Sequence, residues 1–329
     1  MTTTPLKTCL SSSINRYVEL RQSLGRQFTA ERRMLELLNA FVAKLGAQDF
    51  TQTEFELWDK TQTHLAPSTR RNRMQYVRSF CLYRRRMEPQ CFVPDQSVFP
   101  EPGQTIRPHI FSDAEIVRLL AAATRLHAVS TSPLRPEVFR LAIVLLYCTG
   151  IRRRELERLT LSDYDRREHT LLIRESKCHR SRVVLLAADA CIELETYLAT
   201  RKKRRLPMLA NSALLWNGYA HGRPYSGYGL WRGIHELLRC AGVRKADGTL
   251  PRVHDIRHNF ALQTLLRWYR SGIDVQAKLP LLSLYMGHVS IQSTEYYLPF
   301  IPELARAASN QFCSRYGALV QPLSAGGVS

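Results

Sequence analysis

Acidic residues are in short supply in this chain. Its 329 residues hold 28 Asp and Glu against 47 Lys and Arg, a formal net charge of +19 with an isoelectric point near 10.0. So uneven a balance disfavours a cationic partner and points to a polyanion, nucleic acid foremost, although ribosomal and membrane-surface proteins carry similar charge. Long apolar runs are also missing. None reaches the ~18 residues of a membrane span, and the opening MTTTPLKTCLSSS has no apolar core of the secretory kind. These absences predict a cytoplasmic protein with no membrane partner. The eight cysteines form no C-x-x-C pair. Cys81, Cys148 and Cys191 lie in apolar, helix-like runs, so they read as reduced packing residues, and no structural zinc or other metal site is expected. There is no G-x-G-x-x-G, no Walker loop and no internal repeat, so no nucleotide site and no cofactor is expected.

What the chain does have is enough apolar residue, 45%, to build real cores. Its length suggests about two domains. Residues from about 12 to 90 read as helices. Met34, Leu37, Leu38, Phe41, Val42 and Leu45 recur at helical spacing. A further helix begins near Pro67-Ser68-Thr69, with Ser68 or Thr69 as the expected cap and Tyr76, Phe80 and Tyr83 as the apolar stripe. Between Arg70 and Arg86 stand seven arginines and no acid, and Arg71, Arg78 and Arg85 share one face at heptad spacing. Solvated faces usually mix signs, so Arg70, Arg71, Arg73, Arg78 and Arg85 are the candidate contacts to a nucleic-acid backbone.

Prolines then crowd the chain from Val93 to Pro102, the composition of an interdomain linker. The organisation expected is an N-terminal helical domain over 1–100, a linker over 101–108 and a second domain over 109–329. Ser112-Asp113-Ala114-Glu115 has the form of a capping box. EVFRLAIVLLYC, residues 137–148, is apolar nearly all round and predicts a buried helix that Thr149-Gly150 breaks. HTLLIRES and SRVVLLA flank KCHR as two strands of a hairpin. AADACIELETYLATRKKRR and NFALQTLLRWYR read as helices, the first with a basic end at 201–205 that is either a solvated helix end or a DNA contact.

Four strings carry chemistry-bearing residues: TGIRRREL, ESKCHRSR, HDIRH and MGHVSIQSTEYYL. Arg152 follows a glycine break, from which a planar guanidinium can project and hold two phosphate oxygens. Glu155, three positions on, can orient that cation or its helix. Lys177 sits in the hairpin turn and is the only lysine between Arg152 and Thr200. His254 and Arg257 are three apart on a predicted helix, hence on one face. Tyr296 and Tyr297 would project about 100° apart on a helix, so one phosphate can meet only one of them.

In this order, the strings resemble the motifs of the tyrosine recombinase (phage integrase) family, over about residues 108–310. TGIRRREL resembles the family's TGxRxxEL. The resemblance implies a mainly α fold with a small β-sheet or hairpin, an N-terminal helical DNA-binding domain and an α+β catalytic domain, the two forming a C-shaped clamp on the duplex. It implies a site-specific DNA recombinase that breaks and rejoins strands through a 3′-phosphotyrosyl bond, in integration and excision, transposition or resolution. Arg152 and Arg257 would hold the phosphate. Lys177 would protonate the departing 5′ oxygen. His254 would bond a non-bridging oxygen or accept the tyrosine proton, and His288 would donate to the phosphate. Tyr297, nine residues after His288, would be the nucleophile. Cys178 stands where relatives often carry glycine. The interval from Arg257 to His288 is longer than in plain Xer-type sequences, so WYRSGIDVQAKLPLL is expected to hold a small loop insertion. The partners implied are double-stranded DNA at a specific site, in the nucleoid, and further copies of the chain, alone or with sister recombinases, as a tetramer on two sites. Leu304, Ala307, Ala308, Phe312 and Tyr316 would line a C-terminal helix exchanged between subunits. Two rival readings share parts of this pattern: a type IB topoisomerase, and a DNA-binding regulator with a decayed site. All six catalytic positions are filled, which argues against decay.

Overall fold

The computed structural model describes residues 9–103, 107–174, 181–218, 224–287, 309 and 313. The chain divides into two compact units, Met1–Ile106 and Arg107–Ser329.

The described residues of the first unit form four α-helices: α1 (Cys9–Ser23), α2 (Thr29–Lys44), α3 (Gln52–Lys60) and α4 (Pro67–Arg84). Their core joins Leu10, Ile14 and Tyr17 to Leu35, Leu38 and Val42, to Phe55 and Trp58, and to Met74, Val77 and Phe80. The apolar stripe of α2 is rotated from its expected centre. Met34, Leu35, Leu38 and Val42 are buried, whereas Leu37 and Leu45 are exposed. Neighbouring residues diverge by about 100°, so Leu37 and Leu38 cannot both face inward. The expected cap of α4 is also corrected. Ala66 is the N-cap and makes no side-chain bond; Ser68 and Thr69 lie inside the first turn. Pro67 starts the helix instead, because its fixed φ suits a first turn whose N–H groups have no intrahelical partner anyway. Arg84, within the arginine-rich run, is buried and paired with Asp49 at 2.8 Å and with Glu88.

The second unit follows the chain through α5 (Asp113–Thr124), α6 (Arg135–Thr149), α7 (Arg153–Arg158), β1 (Tyr164–Asp165), β2 (Thr170–Ile173), β3 (Arg182–Leu185), α8 (Ala188–Lys203), α9 (Gly227–Cys240), α10 (Val253–Arg270) and α11 (Val275–Met286). Ser112 opens α5 with the expected capping box: its own N–H donates to Glu115 at 2.9 Å, and Glu115 N–H donates to its hydroxyl at 3.3 Å. The α6 helix is the central element. Val138, Phe139, Leu141, Ala142, Ile143, Leu145 and Leu146 are all buried, and α5, α8, α9 and α10 pack around it. The hairpin is present, with Leu171 paired to Val184 and Ile173 to Arg182, and the two-residue β1 extends it to a three-stranded antiparallel sheet. A separate cluster joins Leu262, Leu265 and Leu266 of α10 to Val275, Leu279, Leu282 and Met286 of α11.

Two further expectations change. The segment read as a loop insertion is the end of α10, a turn through Gly272, and α11. Asp274 caps α11 by accepting from Gln276 and Ala277 at 2.9 and 3.2 Å. Pro280 disguised this helix, since it sits inside it. The basic end of α8 is not wholly solvated. Arg201 is fully buried, and it donates to the carbonyls of Pro207, Ala213 and Leu214. No described helix is long and apolar enough to cross a membrane.

Candidate active site

Arg152, His254 and Arg257 lie among the described residues, and the fold gathers them. Lys177, His288 and Tyr297 lie outside the described residues, as does the C-terminal stripe from Leu304 to Tyr316.

The first arginine owes its place to a glycine. Gly150 ends α6 at φ +62°, and a Cβ there would lie 2.4 Å from the Phe260 ring. Only glycine therefore permits the reversal at this contact. Ile151 is buried, and Arg152 follows in extended conformation as the N-cap of α7. Glu155 accepts the Arg152 backbone N–H at 2.8 Å and its Nη1 at 2.8 Å, while Arg152 Nη2 donates to the Gly287 carbonyl. Glu155 thus both completes the helix start and aims the guanidinium.

Glu155 has a second partner that sequence reasoning missed. Arg182, the first residue of β3, forks onto it with Nη1 to Oε1 at 3.0 Å and Nη2 to Oε2 at 2.8 Å, and its Nε donates to the Tyr285 carbonyl at 2.7 Å. A signal for it existed. Strand side chains alternate, so Arg182 shares a face with buried Val184 and Leu186 and pairs opposite buried Ile173. Burial pushes the Glu155 carboxyl upward, but the bonds and charge of Arg182, with those of Arg152, outweigh it and hold its pKa down to about 2.

The second arginine comes from α10. Asp255, fully buried, accepts the Arg252 backbone N–H at 2.9 Å and fixes the helix start. His254 and Arg257 then fall in its first turns, where the helix dipole favours an anion. Arg257 is 1% exposed and donates to the carbonyls of Gly150 and Met286, each at 2.6 Å. His254 stays solvent-exposed. The surrounding protein bulk, then Arg257, Arg252 and Arg152, disfavour its charged form and lower its pKa to about 4. It is therefore a neutral imidazole near pH 7, able to accept a proton. His258 packs edge-on against it at 4.5 Å between ring centroids.

Three arginines from three places in the sequence therefore occupy three consecutive carbonyls, those of Tyr285, Met286 and Gly287, at the C-terminus of α11. Such carbonyls lack intrahelical partners and carry the negative end of the helix dipole. The residue after Gly287 in the sequence is His288. Chemically, the cluster is a set of oriented cations with one neutral imidazole, suited to an oxyanion.

The candidate backbone contacts on α4 have partners within their own unit. Arg70 pairs with Asp59, Arg73 donates to Gln62, and Arg71 and Arg78 donate to the carbonyls of Pro100 and Pro94. These bonds hold residues 94–100 against α4. Arg85 is exposed.

A model of the phage integrase family matches residues 110–300. The chain is 34% identical over 310 residues to a Sinorhizobium fredii protein, y4rB, that carries an integrase/recombinase name; the match covers 92% of this chain and 97% of that one. It is 30% identical over 168 residues, 51% of this chain and 44% of the relative, to a Ralstonia nicotianae protein named tyrosine recombinase XerC 2. Among solved structures, the Tn1549 transposon integrase in complex with transposon right end DNA superposes with a TM-score of 0.64 at 16% identity, covering 92% of this chain and 99% of that one. The XerH site-specific recombinase bound to difH substrate gives 0.62 at 18% identity, covering 92% and 83%. These recombinases share the fold of this chain.

Proposed function

Because the chain belongs to the phage integrase family and is a site-specific tyrosine recombinase acting on DNA, we propose that Tyr297 is its nucleophile and that Arg152, Lys177, His254, Arg257 and His288 serve the same phosphate. The Tyr297 oxygen forms a bond to phosphorus as the bond to the 5′ oxygen breaks. The phenol proton passes to neutral His254 or to water, and Lys177 gives a proton to the departing 5′ oxygen. Arg152 and Arg257 neutralise charge on the non-bridging oxygens in the pentavalent transition state, with His288 as a further donor. The covalent intermediate conserves the phosphodiester energy for rejoining to another strand.

The observation that carries this reading is the bracing of Arg152 and Arg257 on adjacent carbonyls of one turn, Gly287 and Met286, with Arg257 also held on Gly150. On a nicked suicide substrate, Tyr297→Phe should bind DNA and form no covalent adduct, whereas Tyr296→Phe should form one. An adduct from the Tyr297 variant would move the nucleophile elsewhere. A tetramer on two DNA sites, joined by exchange of the C-terminal helix, completes the proposal. Deleting residues from Ala305 onward should spare single-site binding and abolish paired complexes on a native gel.

A further inference from the structure

We propose that Arg182 is a positioning residue for strand cleavage, acting on the phosphate through Arg152. The proposal rests on the reading of Arg152 as a phosphate contact. Arg182 does not need to touch DNA: its side chain is 11% exposed, and three of its five donors are committed to Glu155 and the Tyr285 carbonyl.

That geometry gives Arg182 two physical roles. The first is electrostatic. Glu155 is ionised and bonded to Arg152. By itself that pair is neutral, and a phosphate would gain little from it. A second guanidinium on the same carboxylate returns a net positive charge to the cluster. Because Arg182 is enclosed, that charge is screened less by solvent than a surface charge would be.

The second role is geometric. Arg182 takes both oxygens of Glu155 in a fork, which fixes the plane of the carboxylate that aims Arg152. Its remaining committed donor holds the carbonyl of Tyr285, in the turn that ends at Gly287. A Cβ on Gly287 would lie 2.9 Å from Arg182 Nη1 and 3.4 Å from Arg152 Nη1. The two guanidiniums therefore lie close together against this one glycine. Lysine, whose three donors radiate from one nitrogen, cannot span the fork and the carbonyl bond together.

The test compares single-turnover cleavage of a suicide duplex with an ordinary scissile phosphate and with a methylphosphonate. In the latter a methyl group replaces one charged oxygen, so the transition state carries one negative charge fewer. Arg182→Gln should slow cleavage of the ordinary phosphate by ~10²-fold, the scale of a displaced catalytic group. DNA affinity should change by less than about 3-fold, since many phosphate contacts share it. On the methylphosphonate the loss should shrink to under ~10-fold, in parallel with Arg152→Ala, because there is less charge to stabilise. A general structural lesion would slow both substrates equally, and that result, with Arg152→Ala recovering on the methylphosphonate, overturns the role of Arg182 alone. Failure of Arg152→Ala to recover overturns the phosphate assignment of Arg152 and the inference with it. If thermal unfolding shows that Arg182→Gln does not fold, Arg182→Lys, which keeps the buried charge, carries the same comparison. A wild-type cleavage rate in either folded variant overturns the proposal.

Discussion

Arg257 donates to the Gly150 carbonyl at 2.6 Å, so one arginine of the candidate site is braced on the turn that launches the other. This bond makes the two cations a unit. Arg152→Ala and Arg257→Ala should each slow single-turnover cleavage by at least ~10²-fold, the scale for losing one oxyanion donor. The double variant should lose less than the product of the two, as coupled sites do. DNA affinity, measured by gel shift, should fall far less. Equal losses in affinity and cleavage would make them ordinary binding residues.

Gly150→Ala tests the turn itself. A side chain at φ +62° that meets the Phe260 ring at 2.4 Å is strained twice. The left-handed backbone costs about 1–2 kcal/mol, and overpacking adds about 1–3 kcal/mol. Urea unfolding should show a loss within the sum of those ranges, and cleavage should fall with it, since Gly150 also holds Arg257. Phe260→Leu in the same chain should restore part of the stability by making room. An unchanged unfolding midpoint in Gly150→Ala would show that the turn is less constrained than its geometry.

Lys177→Ala should cleave ordinary DNA slowly and recover on DNA whose bridging 5′ oxygen is replaced by sulfur. A thiolate leaves without a proton, so the general acid becomes dispensable. If the variant stays equally slow on the sulfur substrate, the acid is another group.

The histidine pair predicts a pH dependence of stability. Burial, then the neighbouring His254 with Arg252 and Arg257, lowers His258 to about 3, against the opposing effect of Asp255; His254 itself is lowered to about 4. Unfolded histidines titrate near 6.5. Below that value the unfolded chain binds more protons than the folded one, so stability falls as pH drops from 6.5 toward 4. The Glu155 contribution has the other position on the scale. It is present above the ordinary carboxylate value and is lost only as pH falls from there toward 2. Unfolding temperature should therefore decline between pH 6.5 and 4.5 through the histidines, and His258→Gln should flatten that decline. An unaltered slope would show that other groups cause it.

The sequence made the two-unit composition, the buried α6, the capping box at Ser112 and the hairpin legible, because each is written in local periodicity or turn chemistry. It singled out Arg152, His254 and Arg257 as spaced motifs, and the fold brings these three near one another. Arg182 and Arg201 were not legible as buried groups. Each sits in a string of arginines and lysines, and burial depends on which carbonyls the fold brings near, here Tyr285 for Arg182 and Pro207, Ala213 and Leu214 for Arg201. The α11 helix hid behind Pro280, whose missing N–H is tolerated because Leu279, Leu282 and Met286 pack against α10. The two-residue β1 is too short to show a period at all.

The three carbonyls at the end of α11 also set when the arginine cluster can form. The Arg152–Gly287 bond joins residues 135 apart, and the Arg182–Tyr285 bond joins residues 103 apart. Contacts so distant form only after the intervening chain has closed on itself. A ribosome that has translated as far as α10 has made Arg152, Arg182 and Arg257 but none of the α11 acceptors that align them. The alignment of these three guanidiniums therefore arrives late in synthesis, with the final turn of α11 that supplies their acceptors.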